Sequence, residues 1–81
     1  MNYDINHIKS NLKKLRLNKG ITQKKVCAEL AMHGCWIDRS TYAKYETGER
    51  VPSIEALIAL AVCFETTTDY ILGLTDNPEC R

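Results

Sequence analysis

The sequence has no apolar run long enough to cross a membrane. Its longest uncharged apolar stretch, Ala56 to Phe64, has nine residues, about half of the roughly 20 that a membrane helix needs. The first residues also lack the basic region and the apolar stretch of a secretion signal. These absences predict a cytoplasmic protein that has no membrane partner.

Metal and redox motifs are also absent. Four cysteines are present, but no two of them have Cys-x-x-Cys spacing. Cys27, His33 and Cys35 are the only close group of ligand-type residues, and structural zinc needs four clustered ligands. In a cytoplasmic chain the default is a reduced thiol that packs as a small apolar residue. We therefore expect no metal, no cofactor and no disulfide, with Cys27 buried on the inward face of helix 2.

Catalytic patterns are missing as well. The four glycines are isolated from one another, so the chain contains no Gly-rich phosphate loop. His7 and His33 lie outside any H-x-x-E-H or Cys/His/Asp pattern. The sequence contains no feature that supports an enzyme, and we expect no enzymatic activity.

Basic residues are present in excess, but only in the first part of the chain. Residues 1–50 contain ten Lys or Arg and five acids, whereas residues 51–81 contain one Arg and five acids. This asymmetry predicts one face for a polyanion and another for a different contact. The length of 81 residues, with 44% hydrophobic content, is sufficient for one globular domain over 1–81 and not for a second.

Apolar residues recur at helical spacing, and turn residues separate the resulting segments. The pattern predicts five helices at about 5–18, 23–33, 39–47, 54–63 and 68–73, with a short tail at 75–81. The residues expected to cap their N-termini are Asp4, Thr22, Asp38, Ser53 and Thr67. No stretch of strand length alternates with a period of two, so the predicted fold is all-α.

Helix 3 has two different faces. At about 100° per residue, one arc of about 140° contains Arg39, Ser40, Ala43, Lys44 and Thr47. The aromatic residues Tyr42 and Tyr45 fall on the opposite side and are suited to packing. A short capped helix with a basic, hydrogen-bonding face suits the DNA major groove. An ordinary amphipathic surface helix has the same pattern, so helix 3 alone leaves both interpretations open.

Three segments of the chain carry a more specific signal. They are Leu15-Arg16-x3-Gly20-Ile21-Thr22-Gln23, Arg39-Ser40-Thr41-x3-Tyr45-Glu46-x-Gly48-x-Arg50-x-Pro52-Ser53 and Thr67-Thr68-Asp69-Tyr70-Ile71-Leu72-Gly73-Leu74-Thr75-Asp76. In this order, across residues 8–76, they resemble the Cro/CI-like (XRE-type) helix-turn-helix family of bacterial and phage transcriptional regulators. The resemblance implies a compact five-helix, lambda-repressor-like DNA-binding domain, in which helices 2 and 3 form the helix-turn-helix.

The resemblance also implies roles for individual residues. The base-reading positions on helix 3 are Arg39, Ser40 and Lys44. The positions that contact DNA phosphates are Thr22, Gln23, Thr47 and Gly48. A buried ion pair that ties helix 1 to the end of helix 3 is implied for Arg16 and Glu46.

With these roles, the resemblance implies a sequence-specific transcriptional regulator, expected to be a repressor. Its expected partners are a pseudo-palindromic double-stranded DNA operator, a second copy of the chain in a homodimer, and a regulatory protein. The alternative is an interaction module on the same fold, such as an antitoxin or an anti-repressor partner, with weak or no specific DNA binding. The net charge of only +1 and the position of Glu49 near the DNA side keep that alternative open.

The connector between helices 2 and 3 is longer than is usual in that family. We interpret the extra length as an added turn of helix 2 followed by Cys35-Trp36-Ile37. Trp36 could fill the core, contact a partner or second copy, or contact the DNA backbone. The core position is the preferred interpretation, and a buried indole N–H would then need a hydrogen-bond acceptor.

Overall fold

The computed structural model describes residues 6–79 and consists of five helices joined by short loops. The helices are α1 (Asn6–Lys19), α2 (Gln23–Met32), α3 (Arg39–Thr47), α4 (Ile54–Cys63) and α5 (Thr68–Leu72). Residues 6–79 contain no strand, which confirms the all-α prediction, and every helix end lies within one residue of the predicted position. None of these helices is long and apolar enough to span a bilayer. Asp4, the expected cap of α1, lies outside the described residues.

Each of the last four helices begins at a side chain that accepts a hydrogen bond from a free backbone amide. In each case the donor is the N–H group three residues further along the chain. The four caps are Thr22, Asp38, Ser53 and Thr67. A cap of this kind stabilises a helix by about 1 kcal/mol, so short polar residues determine where these helices start.

One core is shared by all five helices. α1 packs against α3 and α5, while α2 packs against α3 and α4. The largest fully buried side chains come from every helix, and they are Leu12, Val26, Leu30, Tyr42, Leu60 and Ile71. Because α2 and α3 both contribute to this core, their relative orientation is fixed by close packing.

The connector between α2 and α3 differs from the prediction at Trp36. Gly34 has a left-handed conformation with φ of 81°, and the Cys35 N–H donates to the Leu30 carbonyl at 2.9 Å, a bond typical of a Schellman end. This turn directs Cys35 into the core. The next residue, Trp36, faces solvent and is 84% exposed. The prediction that Trp36 fills the core is wrong.

α4 is apolar on nearly all of its surface. Ile54, Ile58 and Val62 recur every four residues on its outer side and are 79%, 52% and 53% exposed. Glu55 is the only charged residue of this helix. A helix that is apolar on all sides is normally buried, so the exposed face of α4 has the composition of a contact surface.

Candidate nucleic-acid interface

α3 presents its polar face to solvent. Arg39, Ser40 and Lys44 are exposed, whereas Tyr42 and Tyr45 on the opposite side are buried. The two tyrosine rings meet edge to face, with centroids 6.2 Å apart, which is a favourable aromatic geometry. The tyrosines therefore anchor α3 in the core, and the three predicted base-reading side chains share its free face.

An ion pair attaches the end of α3 to α1. The Arg16 guanidinium donates from Nε to Glu46 Oε2 at 2.8 Å and from Nη2 to Glu46 Oε1 at 3.1 Å. Its third nitrogen, Nη1, donates to the Ile21 carbonyl at 3.1 Å. The side chains of Arg16 and Glu46 are only 14% and 4% exposed. The structure thus brings together the two residues for which the family resemblance implies a buried pair.

Both members of this pair are charged at neutral pH. Burial by itself raises the pKa of Glu46, but its hydrogen bonds, first among them those from Arg16, outweigh burial and hold that pKa below its ordinary value. The hydrogen bond to Glu46 raises the pKa of Arg16. A buried bidentate pair with both charges present resists separation, because either partner alone would be a desolvated charge.

Gln23 connects the ion pair to Arg39 on the exposed face of α3. Its Nε2 donates to Glu46 Oε1 at 3.2 Å, and its Oε1 accepts from Arg39 Nη1 at 3.4 Å. The carboxylate can only accept and the guanidinium can only donate, so these two partners determine the orientation of the Gln23 amide. Sequence analysis did not find this link; the only available signal was that Gln23 and Arg39 each open a helix of the helix-turn-helix.

The other predicted phosphate contacts lie at two separate places. Thr22 is exposed at the start of α2, where its Oγ1 accepts from the Lys25 amide at 3.1 Å. At the end of α3, Thr47 Oγ1 lies 3.2 Å from a Glu49 carboxylate oxygen. The Gly48 N–H donates to the Lys44 carbonyl at 3.0 Å. The Gly48 amide therefore has a partner inside the protein and is not a free donor.

Three cysteines of residues 6–79 are free thiols in or near the core. Cys35 and Cys63 are buried, whereas Cys27 is partly exposed. The prediction that Cys27 is buried is therefore wrong. Burial raises the pKa of Cys27 and Cys35, and it raises the pKa of Cys63 to about 11. Within residues 6–79, no group of three His, Cys, Asp or Glu side chains is placed to hold a metal ion. Cys80 lies outside the described residues.

The capped α2, the solvent-facing polar side of α3 and their attachment to one core together define a helix-turn-helix DNA-binding domain. The family model described as Helix-turn-helix matches residues 12–71, and the chain belongs to this family. Helix-turn-helix regulators as a class bind DNA.

Three relatives from Bacillus subtilis (strain 168) are similar to the chain. It is 32% identical to the uncharacterized HTH-type transcriptional regulator YobD over 68 residues, which are 84% of this chain and 56% of YobD. Identity to the HTH-type transcriptional regulator AnsR is 60% over 37 residues, or 46% of this chain and 32% of AnsR. Identity to the uncharacterized HTH-type transcriptional regulator YqaE is 36% over 67 residues, or 83% and 53%.

The chain spans about half the length of YobD and YqaE and a third of AnsR. No solved structure matches it significantly.

Proposed function

We propose that the chain binds a specific double-stranded DNA sequence and regulates transcription, with α3 in the major groove. The observation that carries this proposal is the exposed face of Arg39, Ser40 and Lys44 on a helix held by the Arg16–Glu46 pair. A guanidinium can bond guanine O6 and N7 together, whereas an ammonium offers a point charge to guanine or phosphate. In this proposal Arg39 is the main base-reading residue, and Ser40 and Lys44 support it.

Phosphate contacts would fix the register of α3 in the groove. We assign them to Thr22 and Gln23 at the start of α2 and to Thr47 at the end of α3. The start of α2 is suitable because free amides and the helix dipole favour an anion there. The Gly48 amide would have to share its hydrogen with the Lys44 carbonyl, so its contribution would be smaller than the family resemblance implies.

We also propose that the chain acts as a homodimer on a pseudo-palindromic operator, with half-sites about 34 Å apart. The exposed side of α4 supports this, because Ile54, Ile58 and Val62 form an apolar stripe with little charge. Repression is the proposed outcome, since a protein that occupies operator DNA excludes others from it. A DNA ligand also implies that the proposed activity takes place in the cytoplasm.

Two other surface residues, Trp36 and Glu49, support a second candidate function, an interaction module on this fold. Trp36 is 84% exposed, and the Glu49 carboxylate lies beside Thr47, where it would repel a phosphate. An antitoxin or anti-repressor partner would contact other proteins through Trp36 and the apolar stripe of α4, and it would bind DNA weakly. In a DNA-binding regulator, a regulatory protein would bind to these same residues.

Duplex binding at several salt concentrations tests the proposed function. The probes are a duplex obtained by in vitro selection with the purified protein and a scrambled duplex of equal length. We expect the selected duplex to bind at least about 10³-fold more tightly, and binding to both to weaken as salt rises because counterions are released. Absence of salt-dependent binding to either duplex would refute the proposal and favour the interaction module.

Sedimentation analysis of two charge variants tests the dimer. Ile58→Glu places a carboxylate in the middle of the α4 stripe. Leu74→Glu is the control, because it places a carboxylate at an exposed apolar residue outside that stripe, after α5. We expect only Ile58→Glu to lose the dimer and the binding to paired half-sites, while a single half-site remains bound. Equal behaviour of the two variants would contradict a dimer through α4.

A further inference from the structure

An open groove of about 680 Å³ runs between α1 and the end of α3. Its wall on α1 includes Lys9, Lys13 and Lys14, and its wall on α3 includes Glu46 and Thr47. The groove therefore brings three cations from one helix beside the residue that ends the polar face of α3. The sequence alone did not indicate this arrangement, because residues 9–14 lie more than thirty positions before Thr47.

The charges that line this groove do not cancel one another. Within residues 6–79, neither Lys9 nor Lys13 has a carboxylate oxygen within 4.0 Å. Glu46 is neutralised by Arg16, so it does not cancel their charge. Glu49 is a further acid beyond the end of α3, and its carboxylate contacts Thr47. The groove is thus a site of net positive charge with room for an anion.

Lys9 lies directly over the corner at which α3 ends. A methyl group built on Gly48, whose φ is 86°, would be 2.9 Å from Lys9 Cδ and 3.7 Å from Lys9 Nζ. The Lys9 ammonium therefore lies close to the backbone of Gly48. The Gly48 N–H already donates to a carbonyl, and Lys9 supplies the positive charge that an anion at this corner requires.

Lys13 extends this charge along α1. Four residues separate it from Lys9, which corresponds to about 6 Å along the helix axis and about 40° around it. Both side chains are thus on the side of α1 next to α3. Lys14 lies about 140° around the helix from Lys9, at the edge of the groove away from α3, where it also borders a second pocket that includes His7 and Asp76.

We propose that Lys9 and Lys13 form a second phosphate-binding site, which holds the DNA backbone that flanks the segment read by α3. Thr47 joins the two surfaces because it belongs to the exposed face of α3 and also lines the groove. A strand that passes Thr47 therefore continues past the two lysines. The inference rests on the proposed DNA binding and adds two residues that neither the helix-turn-helix pattern nor the face of α3 assigns to it.

The test compares charge-removing variants with charge-keeping ones. Lys9→Gln and Lys13→Gln, alone and together, are titrated against the selected and scrambled duplexes over a range of salt concentrations. A lysine that neutralises one phosphate contributes about 0.9 to the slope of log K against log salt. We expect each single variant to flatten the slope by about one and the double variant by about two, with the ratio between the duplexes unchanged.

Two controls separate local contact from net charge. Lys9→Arg with Lys13→Arg retains both charges, so its slope should equal that of the wild type. Lys14→Gln removes the same unit of charge from the edge of the groove away from α3, so its slope should change little. If Lys14→Gln flattens the slope as much as Lys9→Gln does, the effect reflects net charge and the proposed site is wrong. Thermal unfolding of each variant verifies that the fold is intact.

The remaining outcomes distinguish this inference from the proposed function. If the wild type binds no duplex in a salt-dependent manner, the proposed function itself fails. If the wild type binds and the double Gln variant keeps its slope, only the Lys9–Lys13 site fails. Calorimetry with inorganic tripolyphosphate tests the other source of phosphate groups. Binding of tripolyphosphate that requires both lysines, together with an unchanged duplex slope, would identify a site for free anions and overturn the DNA-backbone assignment.

Discussion

Arg16 and Glu46 are 30 residues apart in the sequence, yet the guanidinium of one donates two hydrogen bonds, of 2.8 and 3.1 Å, to the carboxylate of the other. Gln23 bonds the same carboxylate and also accepts from Arg39. A single chain of contacts therefore runs from α1 through the start of α2 to the first residue of α3. The network that stabilises the fold thus extends to the side chain proposed to read DNA.

Removal of one member of the ion pair should be more damaging than removal of both. Arg16→Met leaves the Glu46 charge buried without an opposite charge, which costs about 3–5 kcal/mol of unfolding free energy. Arg16→Met combined with Glu46→Leu removes both charges and should recover part of that loss. Urea denaturation of the two variants and the wild type measures the difference. An equal loss of unfolding free energy in the single and double variants would show that the unpaired Glu46 charge is not the cause of the destabilisation.

The same pair should make stability depend on pH in the acid range. The pKa of Glu46 is lower in the folded protein than its ordinary value, which is about 4.3 in an unfolded chain. As the pH falls below that value the unfolded state binds more protons, so the stabilisation present at higher pH is lost. Urea denaturation from pH 6 downwards should show this decline. In the double variant Arg16→Met with Glu46→Leu, the unfolding free energy should decline less steeply with falling pH. An equally steep decline in the variant and the wild type would show that Glu46 is not the cause.

Arg39 and Gln23 should fail in different ways when each is changed to Ala. Loss of a bidentate base contact costs about 1–3 kcal/mol and relaxes preference at one base pair. Arg39→Ala should therefore reduce discrimination between selected and scrambled duplexes. Gln23 is uncharged, so Gln23→Ala should weaken binding to both duplexes alike and leave the salt slope nearly unchanged. If Arg39→Ala retains full discrimination, α3 is not the reading helix.

The described cysteines should react slowly in the folded protein. Burial raises the pKa of Cys63 to about 11, so its reactive thiolate is scarce at neutral pH. In a Cys80→Ser variant, which isolates the three described thiols, a disulfide reagent should label Cys27 first and Cys63 last. Denaturant should then make all three react quickly. Rapid labelling of Cys63 in the folded protein would contradict this.

The sequence by itself determined the number of helices and where they begin. Four helices are capped by a side chain that accepts from the amide three residues further along the chain, and these caps are Thr22, Asp38, Ser53 and Thr67. Such local contacts can be predicted from the local sequence. The two faces of α3 were also predictable, because helical periodicity alone separates Tyr42 and Tyr45 from the polar residues.

Only the tertiary structure decided which side chains meet across helices. The turn at Gly34 directs Cys35 inward and leaves Trp36 in solvent, although Trp36 is the larger apolar residue. The contact of Gln23 with Arg39 and the position of Lys9 over Gly48 depend on how α1, α2 and α3 pack on the shared core. Such contacts join residues far apart in the chain, and their geometry follows from close packing of the whole core, which no local pattern encodes.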